Sequence, residues 1–160
     1  MDTVIYPGRY ESLEEISRHI ESVSKAAGFD EANIYAIQTA VDEACTNIID
    51  HAYGGESSGV IIMECITSND SLKIVLHDHG KPFNPQKVHR GRPGRSEHHD
   101  HGQPHHHTSI PVSVNHTRLK DVREGGLGLY FMYRLMDEIY FDFSPDAGNT
   151  LVMIKHKPAQ

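Results

Sequence analysis

Asp42, Glu43, Asn47, Asp50 and His51 are polar residues set inside an apolar stretch of helical period. Glu43 and Asn47 are four apart and Asp50 follows three later, offsets that line one helix face and point two carboxylates and an amide oxygen the same way. Hard oxygen ligands of this kind suit Mg²⁺, and a free carboxylate nearby accepts a proton. The same row also reads as the solvated face of an amphipathic helix, and the helix alone does not separate the two. A second group, Asp78, His79, Gly80, Lys81, Pro82 and Phe83, stands where a β-rich run ends. A buried Asp there accepts a hydrogen bond from an exocyclic amine, and Gly80 lets a flat ring approach the backbone, although Asp-x-Gly alone is also an ordinary turn. A third group, Gly125, Gly126, Leu127, Gly128 and Leu129, opens a helical pattern. Free N–H groups and the positive end of the helix dipole favour a phosphate there. No Gly-Lys-Ser/Thr follows these glycines and no strand precedes them, which excludes a Walker A loop and a Rossmann fingerprint.

The elements that must position these groups follow from periodicity and punctuation. Thr3 to Arg9 reads as a short strand interrupted by Pro7. Ser12 with Glu15 has the form of a capping box, and Leu13, Ile16, Ile20 and Val23 continue at helical spacing until Gly28. A second helix is predicted from about Asp30 to Tyr53, with Ile34, Ile37, Val41, Ala44, Cys45 and Ile48 as its apolar stripe and Gly54-Gly55 as its stop. Val60 to Ile66 and Leu72 to His77 read as one hairpin, and Ile139 to Phe143 with Thr150 to His156 as another, with a helix from Leu127 to Glu138 before the second. Helices followed by antiparallel hairpins imply an α+β sandwich with the helices on one face of the sheet.

Composition sets the outer limits. The 160 residues are enough for one domain, and 38% hydrophobic with 23% charged residues excludes disordered and membrane-spanning classes. No run of eighteen apolar residues exists and the N-terminus lacks a signal-peptide pattern, so the expected location is cytoplasmic, without a membrane partner. A formal charge of −7 argues against nucleic acid as a partner. Cys45 and Cys65 sit in apolar-periodic segments and read as buried, reduced thiols. The charge is uneven: residues 1–80 carry 14 acids and 4 bases, whereas residues 81–125 carry 4 acids and 8 bases together with 8 of the 13 histidines.

Taken in order, AVDEACTNIIDHAYGG, DHGKPFNP, GGLGLYFMYRLMDEI and GNTLVMIKH give the chain a specificity that no single motif has. It resembles the Bergerat-fold ATP-binding superfamily of gyrase, histidine kinases and MutL, also called GHKL. Within it, the pattern E-A-x-x-N-x-x-x-H-A-Y and the L-M-D closing the last helix are similar to the anti-sigma regulatory factor serine/threonine kinases of the RsbW and SpoIIAB type. The resemblance implies one histidine kinase-like ATPase domain over residues 1–160. Its fold would be a two-layer α+β sandwich with a mixed, mostly antiparallel sheet, helices on one face, and a long ATP lid over residues 84–124. It implies ATP and Mg²⁺, with Asn47 as the Mg²⁺-chelating residue, Glu43 as general base and Asp50 beside the nucleotide. Asp78 matches the residue that bonds the adenine amino group, with Gly80 and Phe83 next to it. Gly126, Leu127 and Gly128 match the lid segment that closes on the phosphates, and Thr150 lies where a family Thr supports the adenine pocket. One of Arg118, Lys120 and Arg123 would meet the terminal phosphate. The implied partners are a sigma factor, held idle, and a STAS-type anti-sigma factor antagonist, phosphorylated in a partner switch. Homodimers are usual in such relatives.

The lid departs from the pattern. Its 41 residues exceed what this branch leads one to expect, and the excess contains His98, His99, His101, His105, His106 and His107. These would bind Zn²⁺ or Ni²⁺, or charge near pH ~6.5; the favoured reading is a solvated low-complexity insertion with adventitious metal affinity. Two functions stay open at this level: an active kinase that is also an anti-sigma factor, and a nucleotide-binding regulator that sequesters a partner without phosphorylating it. The presence of both Glu43 and Asn47 favours the kinase. A histidine sensor kinase fits less well, because His19 has neither the charged neighbours nor the second helix of a phospho-acceptor bundle.

Overall fold

Apolar residues alternating along strands and recurring every three to four along helices must share one interior, and the chain meets this with a sheet covered on one side by helices. The computed structural model describes residues 2–56, 58–82, 110–111 and 127–158. In chain order the elements are β1 (Asp2–Pro7), α1 (Glu11–Ala27), α2 (Glu31–Asn47), a π-helical turn (Ile48–Ala52), β2 (Val60–Thr67) and β3 (Ser71–Asp78). A two-residue β4 (Ile110–Pro111), α3 (Leu127–Leu135), β5 (Glu138–Ser144) and β6 (Gly148–His156) complete the described chain. The sheet order is β1-β2-β3-β6-β5-β4, and every described pairing is antiparallel rather than mixed. The junction of the two hairpins, β3 against β6, sets Asp78 opposite Asn149.

Ile37 and Val41 of α2, Ile16 and Ile20 of α1, and Met132 of α3 meet Ile61, Met63, Ile74, Leu76 and Met153 of the strands, all almost wholly buried. Burying each such side chain contributes ~1.5–3 kcal/mol, so this layer fixes where the strand ends lie. On the far side of the sheet Ile5 is 63% exposed, consistent with a two-layer fold open on that face. Cys45 and Cys65 are free and buried, and desolvation pushes the Cys45 thiol far up, away from its reactive form. Among the described residues, no helix is long and apolar enough to cross a membrane.

Several boundaries differ from the sequence-based expectation. Ser12 does not cap α1: the helix begins at Glu11 with Tyr10 as N-cap, and the Ser12 hydroxyl, buried, donates instead to the Pro7 carbonyl at 2.8 Å. Asp30 does cap α2, its Oδ1 accepting the Asn33 N–H at 2.8 Å. The predicted single helix to Tyr53 is α-helical only to Asn47 and then widens, with the Tyr53 N–H bonding Ile48 O at 3.0 Å. α3 stops at Leu135 rather than Glu138, because the Asp137 N–H is taken by Ile154 O of β6 at 3.0 Å and Glu138 starts β5.

Candidate active site

Asp78 ends β3 and is almost fully buried. Its Oδ1 accepts two hydrogen bonds, from the Gly80 N–H at 2.8 Å and from Asn149 Nδ2 at 2.8 Å. Asn149 Nδ2 also donates to the Lys81 carbonyl at 3.0 Å, and the Lys81 N–H donates to Ala52 O at 2.8 Å. The end of β3 is thereby stitched to β6 on one side and to the π turn on the other. Gly80 lies so close to that turn that a Cβ on it would sit 2.5 Å from Ala52 C and O. The HAY tyrosine, Tyr53, braces the same junction, donating to Val60 O at 2.6 Å and accepting the His79 N–H at 3.2 Å.

Across from this corner, Glu43 and Asn47 stand half-buried on α2. The first turn of α3 closes on them: a Cβ on Gly128 would collide with Glu43 Oε2 and lie 3.6 Å from Asn47 Nδ2. Glu43, Asn47 and Gly128 therefore form one group, although Gly128 is more than 80 residues from the other two in sequence. Between Asn47 and Asp78 runs an open cleft. One wall is Ala44, Asn47, Ile48, His51 and Ala52. The end of β3 adds Asp78, Lys81 and Pro82, α3 adds Leu129 and Met132, and β5 and β6 add Phe141, Asp142, Asn149, Thr150 and Leu151.

Two residues expected at the site stand differently. Asp50 does not line the cleft; it is exposed, and its carboxylate accepts a hydrogen bond from the Tyr10 hydroxyl. In the wider π turn the next polar residue after Asn47 on the cleft side is His51, so the expected row of Glu43, Asn47 and Asp50 breaks after its second member. Thr150 borders the cleft, but its hydroxyl is 2.9 Å from His77 Nδ1 on the far face of the sheet. Strand residues alternate faces, and with Leu151 and Met153 buried inward the inward neighbour is Asn149. Asn149 was missed by motif reading, and that alternation was the signal that pointed to it. Phe83, Gly126, the basic residues Arg118, Lys120 and Arg123, and His98, His99, His101, His105, His106 and His107 lie outside the described residues, as does the lid apart from residues 110–111. Among the described residues no three His, Cys, Asp or Glu side chains gather as a metal site.

Residues 6–155 match the family model of the histidine kinase-like ATPase domain, the class of protein that this fold and cleft define. The serine-protein kinase RsbW of Bacillus licheniformis is 30% identical over 149 residues, spanning 93% of this chain and 81% of that protein. The Bacillus subtilis RsbW is 29% identical over 150 residues, spanning 94% of this chain and 81% of its own. The chain belongs to the histidine kinase-like ATPases, in the branch of the RsbW serine-protein kinases. A crystal structure of the RsbU and RsbW domains of a Mycobacterium tuberculosis protein shares the fold, with a TM-score of 0.56 at 13% identity; it matches 100% of this chain, which spans 34% of that longer one.

Proposed function

We propose that the chain binds ATP with Mg²⁺, phosphorylates a serine or threonine of a STAS-type anti-sigma factor antagonist, and holds a sigma factor idle until the unphosphorylated antagonist displaces it. The observation that carries this reading is the cleft with buried Asp78 at one end and, at the other, Asn47, beside which Glu43 and Gly128 come together. The serine-protein kinase names of the relatives support the transfer of phosphate to protein.

Asp78 accepts the exocyclic amine of adenine, and Gly80, packed against Ala52, lets the end of β3 come close to the π turn that forms the cleft wall. Ile48, Met132 and Leu151 offer the ring apolar surface. The amide oxygen of Asn47, half-buried in the cleft wall, is a hard donor of the kind Mg²⁺ takes while keeping several of its own waters, so the residue present fits the ion. When bound, Mg²⁺ neutralises phosphate charge, the main requirement of phosphoryl transfer. The N–H groups of Leu127 and Gly128 in the first turn of α3 face the phosphates, and Gly126 is assigned to them by sequence alone. Glu43 takes the proton of the acceptor hydroxyl as its oxygen bonds the γ-phosphorus and the bond to the bridging oxygen of ADP breaks. Thr150 supports the pocket through its backbone, and Phe83 is assigned by sequence alone. We place the protein in the cytoplasm, as a homodimer.

The test is incubation with γ-labelled ATP and a STAS-domain protein encoded nearby, reading label on its serine or threonine. Glu43→Ala should abolish transfer while ATP affinity stays within a few-fold, whereas Asn47→Ala should also weaken Mg-ATP binding by roughly tenfold. Transfer at the normal rate by Glu43→Ala would remove Glu43 as the base. Tight ATP binding by the unaltered protein with no transfer would favour a sequestering regulator without kinase activity.

A further inference from the structure

Resting on the nucleotide reading of the cleft, the geometry points to Tyr10 as a positioning residue that acts, through Asp50, on the π turn of the cleft wall. Tyr10 is the N-cap of α1, lies outside the cleft and is 44% exposed. Both of its donors nevertheless reach the segment after Asn47: the hydroxyl donates to Asp50 Oδ1, and the backbone N–H donates to Glu56 Oε1 at 3.0 Å. Neighbouring contacts hold the same two segments together. The Gly8 N–H donates to Gly59 O at 2.8 Å, and the Tyr53 ring packs so closely that a Cβ on Gly8 would lie 3.1 Å from it. The bond to Asp50 raises the Tyr10 phenol above its ordinary 10.0, so the hydroxyl stays a donor throughout the neutral range.

The width of the turn makes this bond matter to the cleft. Successive residues of an α-helix step round the axis by ~100°, and those of a π turn by less. Closed by the Tyr53 N–H on Ile48 O, the turn puts His51 and Ala52 on the cleft wall after Asn47 and Ile48, and leaves Asp50 outside. Rewinding to α geometry, with the Tyr53 N–H on Ile49 O, would rotate Asp50 relative to Tyr10 and break their bond. It would also shift His51 and displace Ala52 O, which holds the Lys81 N–H at 2.8 Å beyond the end of β3. The Tyr10 hydroxyl thus favours the wide turn over the narrow one. A bond this exposed adds little to global stability, but it biases a local equilibrium. The apparent affinity of a ligand falls with the fraction of protein that holds the competent wall.

The experiment measures dissociation constants for Mg-ATP and, in the ligand-free protein, hydrogen exchange at the Tyr53 amide. Tyr10→Phe keeps the ring and removes only the hydroxyl; Asp50→Ala removes the acceptor, and Asp50→Asn keeps an acceptor oxygen. Tyr10→Phe and Asp50→Ala should each weaken Mg-ATP binding by about three- to tenfold. Each should speed exchange at Tyr53 by a similar factor and melt within a few degrees of the unaltered protein. Combining them should weaken binding no further than either alone, because the same bond is lost each time. Asp50→Asn should bind within about twofold of the unaltered protein. The positioning role is wrong if the losses multiply in the double variant, if Asp50→Asn is as weak as Asp50→Ala, or if Tyr10→Phe leaves either affinity or Tyr53 exchange unchanged. If the unaltered protein bound no ATP while Tyr53 exchange still responded to Tyr10→Phe, the nucleotide reading would fall and the hold of Tyr10 on the turn would stand.

Discussion

Gly80 and Gly128 are both points of close approach near the cleft, yet their neighbours differ in kind. A Cβ on Gly80 would meet backbone atoms of Ala52 at 2.5 Å, and those atoms belong to a turn held by the Lys81 N–H. A Cβ on Gly128 would meet the carboxylate end of Glu43, which is free to rotate away. Gly80→Ala should therefore destabilise the fold by ~1–3 kcal/mol, the cost of forcing backbone apart, visible in the denaturant midpoint. Gly128→Ala should melt within a few degrees of the unaltered protein yet transfer phosphate much more slowly, because the carboxylate that yields is the proposed base. Equal losses of stability in the two variants would contradict this separation. Residue placement was readable in sequence where spacing limited the options: Asp78 at a strand end, and Asn47 one helical turn after Glu43. Thr150 shows the limit. Motif reading gave it the inward place, but one residue of register exchanges the faces of a strand, and the inward amide belongs to Asn149.

At the scale of elements, alternation and turn residues located both hairpins, since a half-buried strand has no other way to satisfy its two faces. The π turn after Asn47 was not readable, because Ile48, Ile49 and Ala52 keep an apolar pattern compatible with an ordinary helix. What distinguishes it is the hydrogen bond of Tyr53 to Ile48 O, a consequence of tertiary bracing by Tyr53 and Gly80 rather than of local propensity. α3 carries a further testable feature. The Tyr133 hydroxyl is buried without a hydrogen-bond partner among the described residues, and burial pushes its phenol from 10.0 up to about 12. The folded state then holds this proton more tightly than the unfolded state does. Its contribution is fully present below pH 10 and is lost as pH rises through about 12. Tyr133→Phe removes the unmatched hydroxyl, so stability at pH 8 should be unchanged or up to ~1 kcal/mol higher. The decline between pH 10 and 12 should become shallower. Urea melts across that range measure both, and a loss of stability at pH 8 would mean the hydroxyl has a partner.

For the whole molecule, the formal −7 resolves into about −10 from residues 1–80, +4 from residues 81–125 and −1 from the remainder. The acidic part builds α1, α2 and the first hairpin, and the basic part begins at the mouth of the cleft with Lys81. The positive excess of residues 81–125 suits a polyphosphate, and an affinity that depends on it should fall as salt screens charges beyond ~8–10 Å. The histidine-rich stretch contributes little to this balance: residues 97–107 contain Glu97 and Asp100 but no Lys or Arg. Every residue of the buried hydrophobic core among the described residues falls between Tyr6 and Leu76 or between Leu129 and Met153. Deleting residues 97–107 should therefore leave the melting temperature within a few degrees and ATP affinity within a few-fold, with or without micromolar Zn²⁺. Basic residues Arg118, Lys120 and Arg123 remain in such a variant, so the charge available to the phosphates is kept. A large Zn²⁺-dependent change in ATP affinity of the intact chain, absent from the deletion, would instead make His98 to His107 a metal-responsive part of the lid.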